Sequence, residues 1–189
     1  MVMSQQNMRM QRHLALTLIN LLQKKPLEKI TAADLAEAGQ VNRSTFYRYF
    51  HNKFDLLSDA LSESLWQSFE TTENMTADDL IDGLVEWVNN NRRVIKNILM
   101  NNTSFNFYQE IIHELTAMLD KQDDCDFVLD FVAIPLESAP NPAFAKEAFA
   151  SSIVGMLMTW LNHPEIDETD FKAFLKAGLA VKGPIISNW

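Results

Sequence analysis

ITAADLAEAGQVNRSTFYRYFHNKFDLL, residues 30–57, holds three helix starts in quick succession. Thr31 with Asp34 three residues on makes a capping box, in which each side chain satisfies a backbone N–H of the first turn. It opens a short helix through Leu35 and Ala36 that Gly39 ends. Asn42 is an N-cap for a second helix over Arg43-Ser44-Thr45-Phe46-Tyr47-Arg48-Tyr49-Phe50. Asn52 with Asp55 repeats the pattern and starts a longer helix with the apolar stripe Phe54, Leu57, Leu61, Leu65 and Phe69. Two short helices joined by a tight turn, ahead of a supporting helix, describe a helix-turn-helix unit.

The second helix is set apart by what it leaves outside. Phe46 and Phe50 lie four apart and pack inward, so Arg43, Ser44, Thr45, Tyr47, Arg48 and Tyr49 cover the other faces. A guanidinium forks onto guanine, and hydroxyls reach phosphate or base edges. A merely solvated helix would not normally carry two Arg and two Tyr with no acid among them. Charge agrees once it is divided by position. The whole chain of 189 residues is at −9, but residues 1–53 hold eight basic residues against three acidic ones, a net of +5. The remainder is at −14, so a small basic module precedes a large acidic one.

Upstream, Leu14, Ala15, Leu18, Ile19, Leu21 and Leu22 recur at helical spacing, giving an amphipathic helix over about residues 5–24 that Pro26 stops. Downstream the pattern stays helical. Leu80, Ile81, Leu84, Val85 and Val88 form one helix, with a break expected near Asn89-Asn90-Asn91 and a short helix from Val94 to Met100. Tyr108, Ile111, Leu115 and Met118 mark another, closed by the acidic run from Asp120. FVLDFVAI, residues 127–134, reads as helix or irregular, since a lone strand has nothing to pair with. Pro135, Pro140 and Pro142 break the chain before an all-round apolar helix from Ala143 to Asn162, and Phe171, Phe174, Leu175 and Leu179 give a last one.

The expected fold is therefore all-α: a DNA-binding domain over residues 1–53, extending into a connecting helix over 53–69, and a helical domain over 70–189. Five Gly and six Pro in the whole chain are too few for the many turns of a β-sandwich. The single Cys125 excludes an intramolecular disulfide and fits the cytoplasm. No apolar run is long enough to span a bilayer, and the N-terminus has no signal-peptide core, so no membrane partner is expected. His13, His51, His113 and His163 lack ligand spacing, the aspartates of residues 120–130 lack the Gly and Glu of a calcium loop, and no catalytic motif occurs. Neither an enzyme, a metal nor a cofactor is expected.

The quoted stretch resembles the DNA-binding domain of the TetR family of transcriptional regulators over roughly residues 10–65. Its most specific parts are Arg43-Ser44-Thr45-Phe46-Tyr47-x-x-Phe50 and Asn52-Lys53-x-x-Leu56-Leu57. The resemblance implies that Thr31 touches a phosphate and that Arg43 and Ser44 face bases. Thr45, Tyr47 and Tyr49 would hold backbone or base edges, Lys53 would bind phosphate, and His51 stands beside it as a phosphate contact; Asn42 and Arg48 complete the set. One departure is Gly39-Gln40 before Val41, where the family usually has Ala-Gly. Either Gln40 takes a left-handed conformation or the turn shifts by one residue.

One recognition helix makes too few contacts for strong binding, so a dimer is expected. Ala148, Ser152, Gly155 and Thr159 form a ridge of small residues, with Phe149, Met156 and Trp160 beside it. Such a helix is buried either against its two-fold copy or within the monomer core. The resemblance favours the copy, with Phe171, Phe174 and Leu175 as the last helix's share. It also implies a small-effector pocket among Trp66, Phe69, Trp87, Met100, Phe105, Phe107, Tyr108, Ile111 and Met118. Such a pocket suits an apolar or cationic compound, although core packing explains the same residues. The expected protein is a homodimeric repressor released from a palindromic operator by a small molecule. The rival readings are a regulator acting mainly through protein partners and a helical small-molecule-binding protein.

Overall fold

The computed structural model describes residues 5–69, 77–121 and 140–179. The elements in chain order are α1 (Gln5–Leu22), a 3-10 turn (Leu27–Lys29), α2 (Ala32–Ala38), α3 (Arg43–Tyr49), α4 (Lys53–Gln67), α5 (Ala77–Leu99), α6 (Phe107–Lys121), α7 (Pro142–Leu161) and α8 (Glu168–Leu179). Every regular element among the described residues is helical. Cys125, residues 127–134 and the acidic run beyond Lys121 lie outside the described residues.

The chain divides into two compact units, Met1–Gln67 with Asn91–Phe107, and Ser68–Asn90 with Tyr108–Trp189. The first is built on leucines spaced three and four apart. Leu14, Leu18 and Leu22 of α1 are fully buried, as are Leu35 of α2, Phe46 of α3, and Leu56 and Leu57 of α4. Each such side chain contributes about 1.5–3 kcal/mol on leaving water. Packing of α1 on α4 and of α2 on α3 makes the core of the helix-turn-helix. The end of α5 belongs to this unit as well: Val94, Ile95 and Ile98 are fully buried, and Asn97 Nδ2 donates to the carbonyl of Leu22 at 2.6 Å.

The expected break at Asn89-Asn90-Asn91 does not occur, because α5 runs unbroken to Leu99. Asparagine is only a weak helix former, at a cost below about 0.7 kcal/mol per residue. The apolar stripe Ile81, Leu84, Val88, Ile95 and Ile98 stays in phase across the three residues and holds the helix together.

In the second unit Asn141 caps α7 by accepting from the amide of Phe144 at 3.1 Å, with Pro142 in the first turn. The buried Lys146 reaches Asp120 of α6 at 2.9 Å. Lys172 and Lys176 of α8 face Asp82 of α5 at 3.7 and 3.3 Å. Phe69, just past the end of α4, is buried against Gly83; a Cβ at position 83 would lie 2.4 Å from its ring, which accounts for the glycine.

Candidate nucleic-acid interface

The orientation of α3 follows from Phe46 within it and Phe50 at its C-cap. Phe46 is 0% and Phe50 4% exposed, and their rings approach at 6.2 Å. Anchoring both turns Arg43, Ser44, Tyr47 and Arg48 outward, while Thr45 and Tyr49 are half-buried at the edges. Tyr47 is 49% exposed and set edge-on against Phe46. Among the described residues nothing pairs with Arg43, so its guanidinium is available to an external acceptor. Asn42 starts the helix as expected, but through its carbonyl, which accepts from Thr45 and Phe46 at 2.8 and 3.1 Å. Its side chain makes no capping bond and stands exposed.

The turn before α3 is decided by two neighbouring positions with different demands. Gly39 has φ −81°, which any residue adopts. A Cβ there would lie 2.9 Å from the backbone carbonyl oxygen of Leu35 in α2 and 3.3 Å from the Leu14 side chain of α1, so the end of α2 leaves room only for glycine. The Gly39 carbonyl in turn accepts from His13 Nε2 at 2.8 Å. Gln40 carries the left-handed step, with φ 53°. The amide of Gln40 donates to Glu37 and that of Val41 to Ala36, the paired bonds of a Schellman ending. Of the two alternatives the turn has taken strain at Gln40 over a shift in register.

The start of α2 has the predicted capping box. The Thr31 amide donates to Asp34 Oδ2 at 2.7 Å, and the Asp34 amide donates to Thr31 Oγ1 at 3.2 Å. The Thr31 hydroxyl also donates to the same carboxylate at 2.6 Å, and Lys25 Nζ donates to its other oxygen at 2.7 Å. Lys25 first, then the Thr31 hydroxyl and amide, hold the Asp34 carboxyl well below the usual carboxylate range. The phosphate role that the resemblance implies for Thr31 thus meets a hydroxyl whose proton is already committed.

Lys53 departs further from expectation. Its ammonium turns into the protein and donates to the carbonyls of Leu27 and Ile30 at 2.7 and 2.9 Å, two of its three N–H groups. Asn52 caps α4, its Oδ1 accepting from Phe54 and Asp55 at 2.7 and 3.1 Å. His51 is exposed beside it. At the far end of α3, Arg48 Nη2 donates to Tyr49 Oη at 3.0 Å with its guanidinium 4.9 Å above the ring. Tyr49 Oη donates to Asn7 Oδ1 of α1 at 3.3 Å. Sequence reasoning assigned nothing to Asn7 or Lys25, and no local pattern marks either.

The residues expected on a dimer face separate into two groups. Ala148, Ser152, Gly155 and Thr159 form an exposed row on α7, with Met156 and Phe149 half-buried, and Phe174 of α8 is 61% exposed. Trp160, Phe171 and Leu175 are instead buried within the second unit. Trp160 is 2% exposed, stacks on Phe171 at 4.5 Å and donates through Nε1 to Ile166 at 2.9 Å. A groove of about 560 Å³ lies between the two helices, floored by Trp160 and Phe171 and walled by Ser152, Gly155, Met156 and Phe174.

The residues expected around an effector belong to both units. Trp66, Met100, Phe105 and Phe107 fall in the first unit, and Phe69, Trp87, Tyr108, Ile111 and Met118 in the second. Phe69, Trp87, Phe107, Ile111 and Met118 are buried, whereas Met100 and Tyr108 are largely exposed. Phe105 stacks on Phe54 at 6.2 Å. The groove on α7 and α8 and a second pocket of about 620 Å³ between α1 and α4 are lined by other residues. Among the described residues no cluster of His, Cys, Asp or Glu could hold a metal, and no helix is long and apolar enough to cross a membrane.

A helix-turn-helix with an acid-free, outward-facing second helix defines the class of DNA-binding regulators. Residues 17–60 match the family described as bacterial regulatory proteins, tetR family. The chain thus carries, over those residues, the DNA-binding domain of the TetR family of transcriptional regulators. No curated protein matches it by sequence. Solved structures share the fold over nearly their whole length. One is the dihydroxyacetone kinase operon activator DhaS, at TM-score 0.59 and 18% identity, covering 91% of this chain and 97% of that one. Another is NalD of Pseudomonas aeruginosa, the secondary repressor of the MexAB-OprM multidrug efflux pump, at TM-score 0.55 and 21% identity, covering 97% and 100%.

Proposed function

We propose that the protein acts as a homodimer that binds a palindromic operator through α3 of each subunit and represses transcription from it. The observation that carries the reading is the outward set Arg43, Ser44, Tyr47 and Arg48, held in register by the buried Phe46 and Phe50. Arg43 and Ser44, on the first turn, are placed to reach base edges, and Thr45, Tyr47 and Arg48 to hold backbone. Two heads spaced about 34 Å apart, or a multiple of it, would meet successive major grooves on one side of the duplex.

The exposed row on α7 with Phe174 supports pairing between copies. Small residues let a second helix approach closely, and a large exposed apolar side chain gains by being covered. Release by a small molecule is supported by the resemblance to the TetR family alone. Repression follows from occupancy, because a dimer seated on a promoter excludes other proteins from the same DNA.

Selection of bound fragments from random and genomic DNA tests the main reading. Enrichment of a palindrome is expected; no enrichment even at low salt overturns it and leaves action through protein partners. A reporter placed behind the selected site tests the sign, with rising expression on deletion of the regulator expected.

A further inference from the structure

We infer that Phe105 and Lys53 are positioning residues for DNA reading, acting through the start of α2 without touching DNA themselves; this rests on the reading above. The loop between α5 and α6 is held for this task. Asn101 takes φ 55° just beyond the end of α5, a conformation asparagine tolerates better than most residues. Asn102 then grips Phe105 at both backbone groups: its Oδ1 accepts from the Phe105 amide at 2.9 Å, and its Nδ2 donates to the Phe105 carbonyl at 2.8 Å. Oδ1 also accepts from the Ser104 amide at 3.0 Å. A loop ordered in this way delivers one ring, and that ring lies nearly parallel to Phe54, with an interplanar angle of 14°.

Phe54 is the second residue of α4, and Lys53, the first, has its ammonium 5.3 Å from the Phe54 ring. The same ammonium binds the carbonyls of Leu27 and Ile30, which stand on either side of the turn that leads into α2. Thr31, the cap of α2, follows Ile30 directly. A chain of contacts therefore runs from Asn102 through Phe105, Phe54 and Lys53 to the residue before the α2 cap, wholly inside the first unit. Because α2 packs on α3, displacing the start of α2 displaces the reading helix. Phe54 and Phe105 are both only half-buried, so either can be replaced without opening the core.

The test measures operator affinity against salt for the full chain carrying Phe105→Leu, Phe105→Tyr, Asn102→Ala, Lys53→Met or Arg43→Ala, with helix content checked by circular dichroism. Loss of a phosphate contact lowers the slope of log affinity on log salt by about one unit. Loss of a brace weakens binding with the slope unchanged. Phe105→Leu and Asn102→Ala are expected to weaken binding by about fivefold to tenfold at constant slope, with Phe105→Tyr close to wild type. Lys53→Met should act in the same direction, also at constant slope. Combined with Phe105→Leu it should cost less than the product of the two, since both loosen one contact chain. A flattened slope for Lys53→Met makes it a phosphate contact and overturns its part. Affinity within twofold of wild type for both Phe105→Leu and Asn102→Ala overturns the brace, provided Arg43→Ala still weakens binding. If Arg43→Ala is silent too, the DNA reading itself has failed.

Discussion

Helices α3 and α7 both leave a row of side chains outside, and they teach opposite lessons. In α3 only Phe46 is deeply buried, with Phe50 buried at the C-cap, and everything else is polar, so a seven-residue helix has one possible orientation. In α7 nearly every residue is apolar or small, and burial falls on Ala150, Ile153, Val154, Leu157, Met158, Trp160 and Leu161 while Phe144 stays 68% exposed. Contrast between apolar and polar positions orients a helix; apolar content alone does not.

The strongest way to break the contrast is to remove the anchor of α3. Phe46→Ala should lower unfolding free energy by about 3–5 kcal/mol, read from a urea titration, because it empties a fully buried site. A loss below about 1 kcal/mol would mean α3 is not held as described. On α7 the corresponding change is additive: a side chain built on Gly155 meets nothing within 4 Å in the single chain. Gly155→Trp should therefore leave the monomer folded but cost association about 1–3 kcal/mol by overpacking a close helix contact. Sedimentation across a dilution series reads this, and an undisturbed dimer would move the interface elsewhere.

Arg43→Ala should cost about 1–3 kcal/mol of operator binding and relax specificity at one base position, with the urea midpoint unmoved. Gln40→Gly is expected to stabilise by about 1 kcal/mol, a few degrees in melting temperature, since it relieves a left-handed residue in the turn ahead of α3. No gain would mean that the turn stores little strain.

The smallest effect concerns pH. The unfolded Asp34 carboxyl titrates near ~3.9, and the folded one lies lower because of Lys25 and Thr31. Its contribution is therefore present above about pH 4 and is lost as pH falls through the folded value. Asp34→Asn should flatten the acid limb of the stability profile below pH 4, and solvent exposure keeps the change small.

The helix-turn-helix was legible because its signals are short-range. Thr31 and Asp34 cap each other three residues apart, and Phe46 and Phe50 share a face four apart, so both pairings follow from helix geometry alone. The break misplaced at Asn89-Asn90-Asn91 shows the limit of that reasoning: a weak local preference yields to an apolar stripe running past it on both sides. Burial of aromatics was the least legible, since an aromatic looks the same in the sequence whether it stacks in a core, like Trp160, or sits half-buried in a loop, like Phe105.

By itself, then, the amino-acid sequence determined the all-helical class, the position of the DNA-reading motif and the basic charge of its module, each written in residues a few positions apart. Only the tertiary structure decided which polar groups remain available to DNA. Lys53 is turned to Leu27 and Ile30, Tyr49 to Asn7, and Thr31 to an Asp34 that Lys25 also holds, whereas Arg43 is left to an outside partner. A hydrogen-bond donor is committed by whatever acceptor the folded chain brings within about 3 Å, and for Lys53 and Tyr49 that acceptor is distant in sequence.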